Sequence, residues 1–172
     1  MSEEKFTFFW QHAIAQWHQS YFTVDGVEYS CAEQYMMAEK ARLFGDEDTL
    51  EMIMDTEDPR TQKKLGRLVE DFDVDIWEED EENGRARCWN IVFKGNMAKF
   101  SQNPHLLEQL LETDGTTLVE ASPYDRIWGV GLKASNPLIQ NRENWLGRNW
   151  LGEVLTEVRQ TLKATKNDVV EH

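Results

Sequence analysis

Residues Ser30 to Phe44 read SCAEQYMMAEKARLF, and the way this stretch is read decides the fold. At the helical 100° per residue, Glu33, Met36, Met37, Lys40 and Phe44 fall on one face. The bulky apolar side chains mark that face as the inward one, so the stretch is expected to form a core-facing helix. It opens on Ser30-Cys31-Ala32-Glu33, which fits the capping-box pattern. An inward face holding both a carboxylate and an ammonium is unusual, because burying either without a partner is costly or changes its protonation state. Taken singly, Glu33 closes the capping box and Lys40 runs its stem out to water. Taken as a pair, they stand two helical turns apart, about 10.5 Å along the axis, which rules out a simple i,i+4 salt bridge. That separation suits a ligand lying along the helix, with an acid near one end and an amine near the other.

Outward from this helix, FTVDGVEYS (Phe22 to Ser30) alternates around Asp25-Gly26, a two-residue hairpin signal. FTFFW (Phe6 to Trp10) and TTLVEAS (Thr116 to Ser122) are strand candidates, with IWGVG (Ile127 to Gly131) as a third. Asp48-Thr49-Leu50-Glu51 is expected to open a short helix. Asp58-Pro59 and Asn103-Pro104 each place a cap before a proline at the first helical position, and Gly115 ends the second of these helices. Another helix spans much of CWNIVFKGNMAKF, and a closing one follows Asn149 through WLGEVLTEVRQTL, with a polar tail that frays. WEEDEENGRAR is expected to be a solvated acidic loop. The sum is a mostly α fold with a small β component in a single domain.

The chain has 172 residues, seven Trp and a formal net charge of −14, a folded composition whose surface repels extended phosphate backbones. No extended DNA-binding surface and no membrane span are expected. The two cysteines, Cys31 and Cys88, form no disulfide framework, and His12, His18, His105 and His172 show no metal-ligand spacing. A cytoplasmic, monomeric protein with no metal and no cofactor is the expectation.

Two further stretches carry chemistry. In LVEASPYDRIWGVGL (Leu118 to Leu132), Glu120 sits in a strand-like run, Asp125 follows a proline turn, and Trp128 precedes Gly129-Val130-Gly131. The plain account is a strand, a turn and a core tryptophan. The functional account is that the glycines let backbone amides approach a phosphate. In NWLGRNWLG (Asn144 to Gly152), Arg148 and Asn149 stand at the start of the last helix, where free amides favour an anion, and Arg159 follows further along. Alone, these are an exposed base and an ordinary cap. There is neither a dinucleotide-binding G-x-G-x-x-G nor a G-x-S-x-G elbow.

Taken in order, CAEQYMMAEKARLF, KKLGR, MAKFSQNPHLLEQLLET, LVEASPYDRIWGVGL and GRNWLGEVLTEVR resemble the NADAR, or YbiA-like, family from about Phe6 to Leu162. The resemblance implies one compact YbiA-like domain over residues 1–172, mostly helical with short strands. It also implies hydrolysis of N-glycosidic bonds on ribose, either removing ADP-ribose from modified guanine or splitting phosphoribosylamino-pyrimidine intermediates of riboflavin synthesis. Carried over by position, it implies catalytic roles for Glu33, Lys40, Glu120 and Asp125. It further implies ligand contacts from Tyr35 and Trp128, which would stack on a base, and from Gly129, Gly131, Arg148 and Asn149, which would hold phosphate. Gln34 departs from the histidine that many members carry. The segment from Trp89 to Lys99 is shorter than in the riboflavin-pathway members and follows an acidic loop, which favours the ADP-ribose branch. The substrate expected is a small nucleotide or an ADP-ribosylated nucleic acid. The alternatives are a non-catalytic NAD or ADP-ribose binding module and, more remotely, an acidic DNA mimic.

Overall fold

The computed structural model describes residues 3–171, with side chains through residue 166; Met1, Ser2 and His172 lie outside it. In chain order the elements are β1 (Phe6–Phe9), β2 (Phe22–Val24), β3 (Val27–Tyr29), α1 (Ala32–Leu43), α2 (Glu47–Met54), α3 (Pro59–Gly66) and α4 (Val74–Trp77). They continue with α5 (Arg87–Gln102), α6 (Pro104–Leu111), β4 (Thr117–Glu120) and α7 (Trp150–Glu171), with 3-10 turns at Pro137–Gln140 and Arg142–Asn144. The fold is mostly α with a small β component, as expected. No described helix is long and apolar enough to cross a membrane. The chain divides into two compact units, one of residues 16–103 and one that joins residues up to 15 with those from 104 onward.

In the first unit, β2 and β3 form the hairpin announced by Asp25-Gly26, whose φ values of +50° and +81° are the two positive angles a type I′ turn demands. α1 packs against α2, α3, α5 and β3. Burial is therefore not confined to one face: every residue from Ala32 to Ala38 is buried. A helix enclosed by four elements has no solvent side along its first two turns, and the one-face reading is corrected accordingly.

Burying that start leaves backbone amides to satisfy, and the Glu33 N–H donates to Gln16 O (3.0 Å). Gln34 Oε1 accepts from the Ser30 backbone N–H (2.7 Å) and hydroxyl (3.1 Å), while Cys31, the N-cap, makes no side-chain cap bond. Gln34 Nε2 donates to Ile53 O (3.0 Å) and Thr56 O (3.1 Å), tying α1 to the end of α2. Gln62 of α3 donates to Thr56 O (2.7 Å) and accepts from Cys31 Sγ (3.2 Å). The cap of α2 also lies earlier than expected, at Asp46, which accepts from Thr49 N (3.1 Å). Asp58 and Pro59 start α3 as the sequence indicates. The acidic run does not hang loose. Asp80 bridges to Ala86, and Arg87 pairs with Glu79 at 2.9 Å.

In the second unit, β1 and β4 pair in parallel, from Phe6 opposite Thr117 to Phe9 opposite Glu120. Val119 joins Ala121, Val130, Leu132 and Ile139 in an apolar cluster, against which Phe6, Phe8 and Trp145 pack. IWGVG forms no strand; Val130 N donates to Glu120 O (3.0 Å), and the rest of the segment turns. α7 continues through Glu171, so the backbone of the expected polar tail extends the helix. Asn149, at φ +54° and almost fully buried, accepts from Glu120 N (2.9 Å) and donates to Leu118 O (3.0 Å). Its amide thus acts as one more strand partner along β4.

That approach depends on Gly152, where a Cβ would overlap both the Leu118 carbonyl and the Asn149 amide. The nearer obstacle is the Leu118 backbone carbonyl, and the Asn149 amide is held by its two bonds to β4, so neither can swing aside. Gly152→Ala is expected to destabilise the protein by about 1–3 kcal/mol, read as a lower midpoint in urea unfolding. An unchanged midpoint would show that α7 and β4 separate at little cost.

Candidate active site

The expected site residues divide between the two units. In the first, Glu33 is 7% exposed and its backbone N–H donates to Gln16 O at 3.0 Å. Gln34 holds Ser30 just ahead of the helix. Lys40 is half-buried, and burial lowers its pKa from the ordinary lysine value. Two charges also act on it: Glu33 favours the ammonium, and Arg67, just past α3, opposes it. The carboxylate and the amine therefore feel one another although no i,i+4 geometry joins them. The Lys40 Nζ also lies 4.2 Å from the centroid of the Phe72 ring.

Tyr35 does not fit the stacking role implied for it. It is 3% exposed, set edge-on to Tyr29 (centroids 5.1 Å apart) and Phe22 (6.2 Å). A Cβ at Gly95 would collide with its ring. Burial raises its hydroxyl pKa, and the residue is part of the core.

In the second unit, Glu120 ends β4 with its backbone held on both sides, by the Asn149 amide and by Val130 N. Asp125 Oδ1 accepts from Ile127 N (2.9 Å) and Trp128 N (2.8 Å), so one carboxylate oxygen fixes the turn that carries Trp128. Trp128 meets Trp150 edge to face at 5.7 Å, and the exposed Arg148 guanidinium lies 4.8 Å over the Trp150 ring. The glycines serve the chain itself. At Gly129 a Cβ would crowd Glu120 O (3.1 Å) and Asp125 O (3.0 Å), and Gly131 has φ +73° with Leu146 at its back. The phosphate contact implied for Asn149 is displaced by its two bonds to β4; it positions the backbone of Glu120 instead. Arg159, 3% exposed, donates to Thr113 O (3.0 Å) in the turn before β4, a structural clip.

The NADAR domain family matches residues 4–163. The chain belongs to the NADAR family. An N-glycosidase of Acanthamoeba polyphaga mimivirus is 43% identical over 154 residues, 87% of this chain and 86% of that protein. Protein irg-1 of Caenorhabditis elegans is 38% identical over 136 residues, 79% of this chain and 62% of that protein. The chloroplastic riboflavin biosynthesis protein PYRR of Arabidopsis thaliana is 32% identical over 112 residues, 65% of this chain but 16% of that protein. The NMR structure of the Escherichia coli protein YbiA superposes with a TM-score of 0.71 over 100% of this chain and 91% of that one; at 24% identity the likeness is one of fold.

Three residues of this NADAR chain were not singled out from the sequence. Arg67 closes the KKLGR block but carries no motif of its own. Phe72 stands between acidic residues with no periodic signal. Lys99, in α5, is fully buried, and its pKa is lowered by burial to about 7, with the Cys31 thiol acting the other way. MAKF, read as an amphipathic helix, gives no sign that its lysine points in.

The sign of the Lys99 effect follows from linkage. Between about pH 7 and 10 the unfolded chain holds this proton and the folded chain releases it, so its contribution to stability rises with pH across that window. Comparing wild type with Lys99→Met by urea unfolding at several pH values, the wild type is expected to gain relative to the variant as pH increases from 7 to 10. A constant difference would mean that Lys99 keeps an ordinary pKa.

Proposed function

We propose that this protein is an N-glycosidase acting on ribose, and that its substrate is ADP-ribose attached to a guanine base. The observation that carries this is the Glu33–Lys40 pair: a buried carboxylate acting on a half-buried amine whose pKa burial lowers. Support comes from the mimiviral relative, named an N-glycosidase, which the chain matches over most of both lengths. Cleaving an N-glycoside builds positive charge at the anomeric carbon and requires a proton for the departing base. A neutral amine attacks C1 of the opened sugar and gives an imine, which water later hydrolyses. Glu33 carries protons between the amine and the leaving base. In the other unit, taken by itself, Glu120 is proposed as a catalytic carboxylate, Trp128 as a stacking surface, Arg148 as a phosphate contact, and Asp125 as the residue holding the Trp128 turn.

A second substrate is favoured by a specific observation. The PYRR proteins of Arabidopsis thaliana and Zea mays, 32% and 29% identical, are named for riboflavin biosynthesis. Phosphoribosylamino-pyrimidine is therefore the alternative. The net charge of −14 weighs against long nucleic-acid contacts in either case, so a modified DNA substrate would be gripped at one nucleotide and its neighbours.

Incubation with ADP-ribosylated guanine in a single-stranded oligonucleotide, and separately with the phosphoribosylamino-pyrimidine, is read by mass spectrometry of the released sugar. Free ADP-ribose from the first is the expected result; ribose phosphate from the second alone would reassign the substrate. Glu33→Gln should keep the fold and lose turnover by about 10²-fold or more, the usual weight of a general acid–base group. Turnover within about twofold of wild type would remove Glu33 from the chemistry, since an amide cannot relay protons as a carboxylate does. Borohydride added during turnover should leave a sugar adduct on Lys40, and Lys40→Arg should be inactive and adduct-free.

A further inference from the structure

Phe72 lies in the loop between α3 and α4, next to Asp71 at φ +60°, and its ring is 41% exposed. Exposure has not left it loosely placed. Phe44, the residue after α1, meets it edge to face at 5.4 Å and 70°, and Trp77 of α4 meets it at 6.4 Å and 66°. Two aromatic edges from different elements set the plane of this ring, and the Lys40 Nζ lies over its face at 4.2 Å. An aromatic face is the negative end of a quadrupole and attracts a cation lying over it. A wholly apolar support for Lys40 would need no such orientation, since a leucine fills comparable space.

We propose that Phe72 is a catalytic residue of the same site, its ring face stabilising the positive charge that forms on Nζ and the sugar C1 when the base departs. The inference rests on Lys40 as the attacking amine. The ring opens first: the base-nitrogen lone pair forms C1=N⁺, the C1–O4 bond breaks and the ring oxygen takes a proton from water. The Nζ lone pair then adds to C1, the C=N π pair returns to the base nitrogen, and a proton passes from Nζ to that nitrogen through Glu33. The C1–N bond to the base then breaks with its electron pair leaving on the base, and the Nζ lone pair forms the C1=Nζ iminium. Water adds to C1, the C1–Nζ bond breaks, and the sugar leaves as an aldehyde that recloses. Nothing is oxidised or reduced. The cation of the iminium is centred where the ammonium stands at rest, so a ring placed to face one also faces the other. The charged neighbours are Glu33 on α1 and Arg67 beyond α3; the ring adds attraction for the cation without neutralising it, as a second carboxylate would.

The test uses the full chain with Phe72→Leu, Phe72→Tyr and Phe72→Trp, assayed on the ADP-ribosylated oligonucleotide or, if only that is cleaved, on the phosphoribosylamino-pyrimidine. Phe72→Leu is expected to lower kcat about tenfold, equivalent to about 1.4 kcal/mol, with KM within about twofold. The tyrosine and tryptophan variants should stay within about threefold of wild type. The pH profile separates catalysis from packing. Without the ring the ammonium of Lys40 loses a partner, so the acid limb of kcat should move to lower pH while the plateau falls. Thermal melting checks that each variant is folded. Wild-type kcat in Phe72→Leu, or equal losses in all three variants, would overturn the role of Phe72. Borohydride trapping keeps the two ideas apart: an adduct on Lys40 with an unaffected Phe72→Leu removes Phe72 alone. No adduct on Lys40 in the wild type, or no sugar released from either substrate, removes the Lys40 mechanism and Phe72 with it.

Discussion

Enclosing the start of α1 on all sides is the constraint from which the helical unit follows. A helix N-terminus presents unpaired backbone N–H groups, and water normally takes them. Here no water face exists along the first turns: the Glu33 N–H donates to the Gln16 carbonyl, and buried glutamines hold the neighbouring segments in place. Gln34 bonds back to Ser30 and forward to the carbonyls of Ile53 and Thr56, and Gln62 reaches the same Thr56 carbonyl from α3. Each net bond contributes about 0.5–1.5 kcal/mol, but leaving any one of these buried groups unpaired would cost about 1–3 kcal/mol. The network therefore acts through what its loss would expose. It fixes α1 against α2 and α3, and with them the placing of Glu33, Lys40 and Arg67.

The other unit meets its own unpaired strand edge with an asparagine side chain. β4 has β1 on one side, and the side chain of Asn149 accepts and donates along the other, as a neighbouring strand would. Placing an amide there requires a left-handed backbone at Asn149 and a missing side chain at Gly152. The GRNWLG motif is thus largely an account of how α7 docks. The Asp125 turn and the glycines at 129 and 131 serve the same close packing of backbone on backbone.

What the sequence disclosed follows the range of the forces involved. The Asp25-Gly26 turn, the Asp58-Pro59 start and the helix after Asn103 depend on neighbours in the chain, and they stand where local pattern puts them. The capping box of α1 did not, because the Glu33 N–H goes to the Gln16 carbonyl, which no local pattern contains. Tyr35 looked like a stacking ring until Phe22, Tyr29 and the bare backbone of Gly95 were seen to enclose it. Lys99 and Phe72 were invisible for opposite reasons: one is a charge hidden in a core, the other an apolar ring left outside it. Glu33 and Lys40 stand two turns apart on α1, a spacing that helical geometry gives locally, but their burial comes from the elements around α1 rather than from one apolar face.

The parallel pairing of β1 with β4 carries a consequence for how the chain is made. β1 leaves the ribosome first, yet its partner strand is synthesised only after the whole of residues 16–103. During that interval Phe6, Phe8 and Phe9 have no strand to lie beside, while by its end the helical unit holds the β3, α2, α3 and α5 partners of α1. Vectorial synthesis thus favours the contiguous unit assembling first and the discontinuous one closing last, with an aromatic N-terminal segment exposed to chaperones in between.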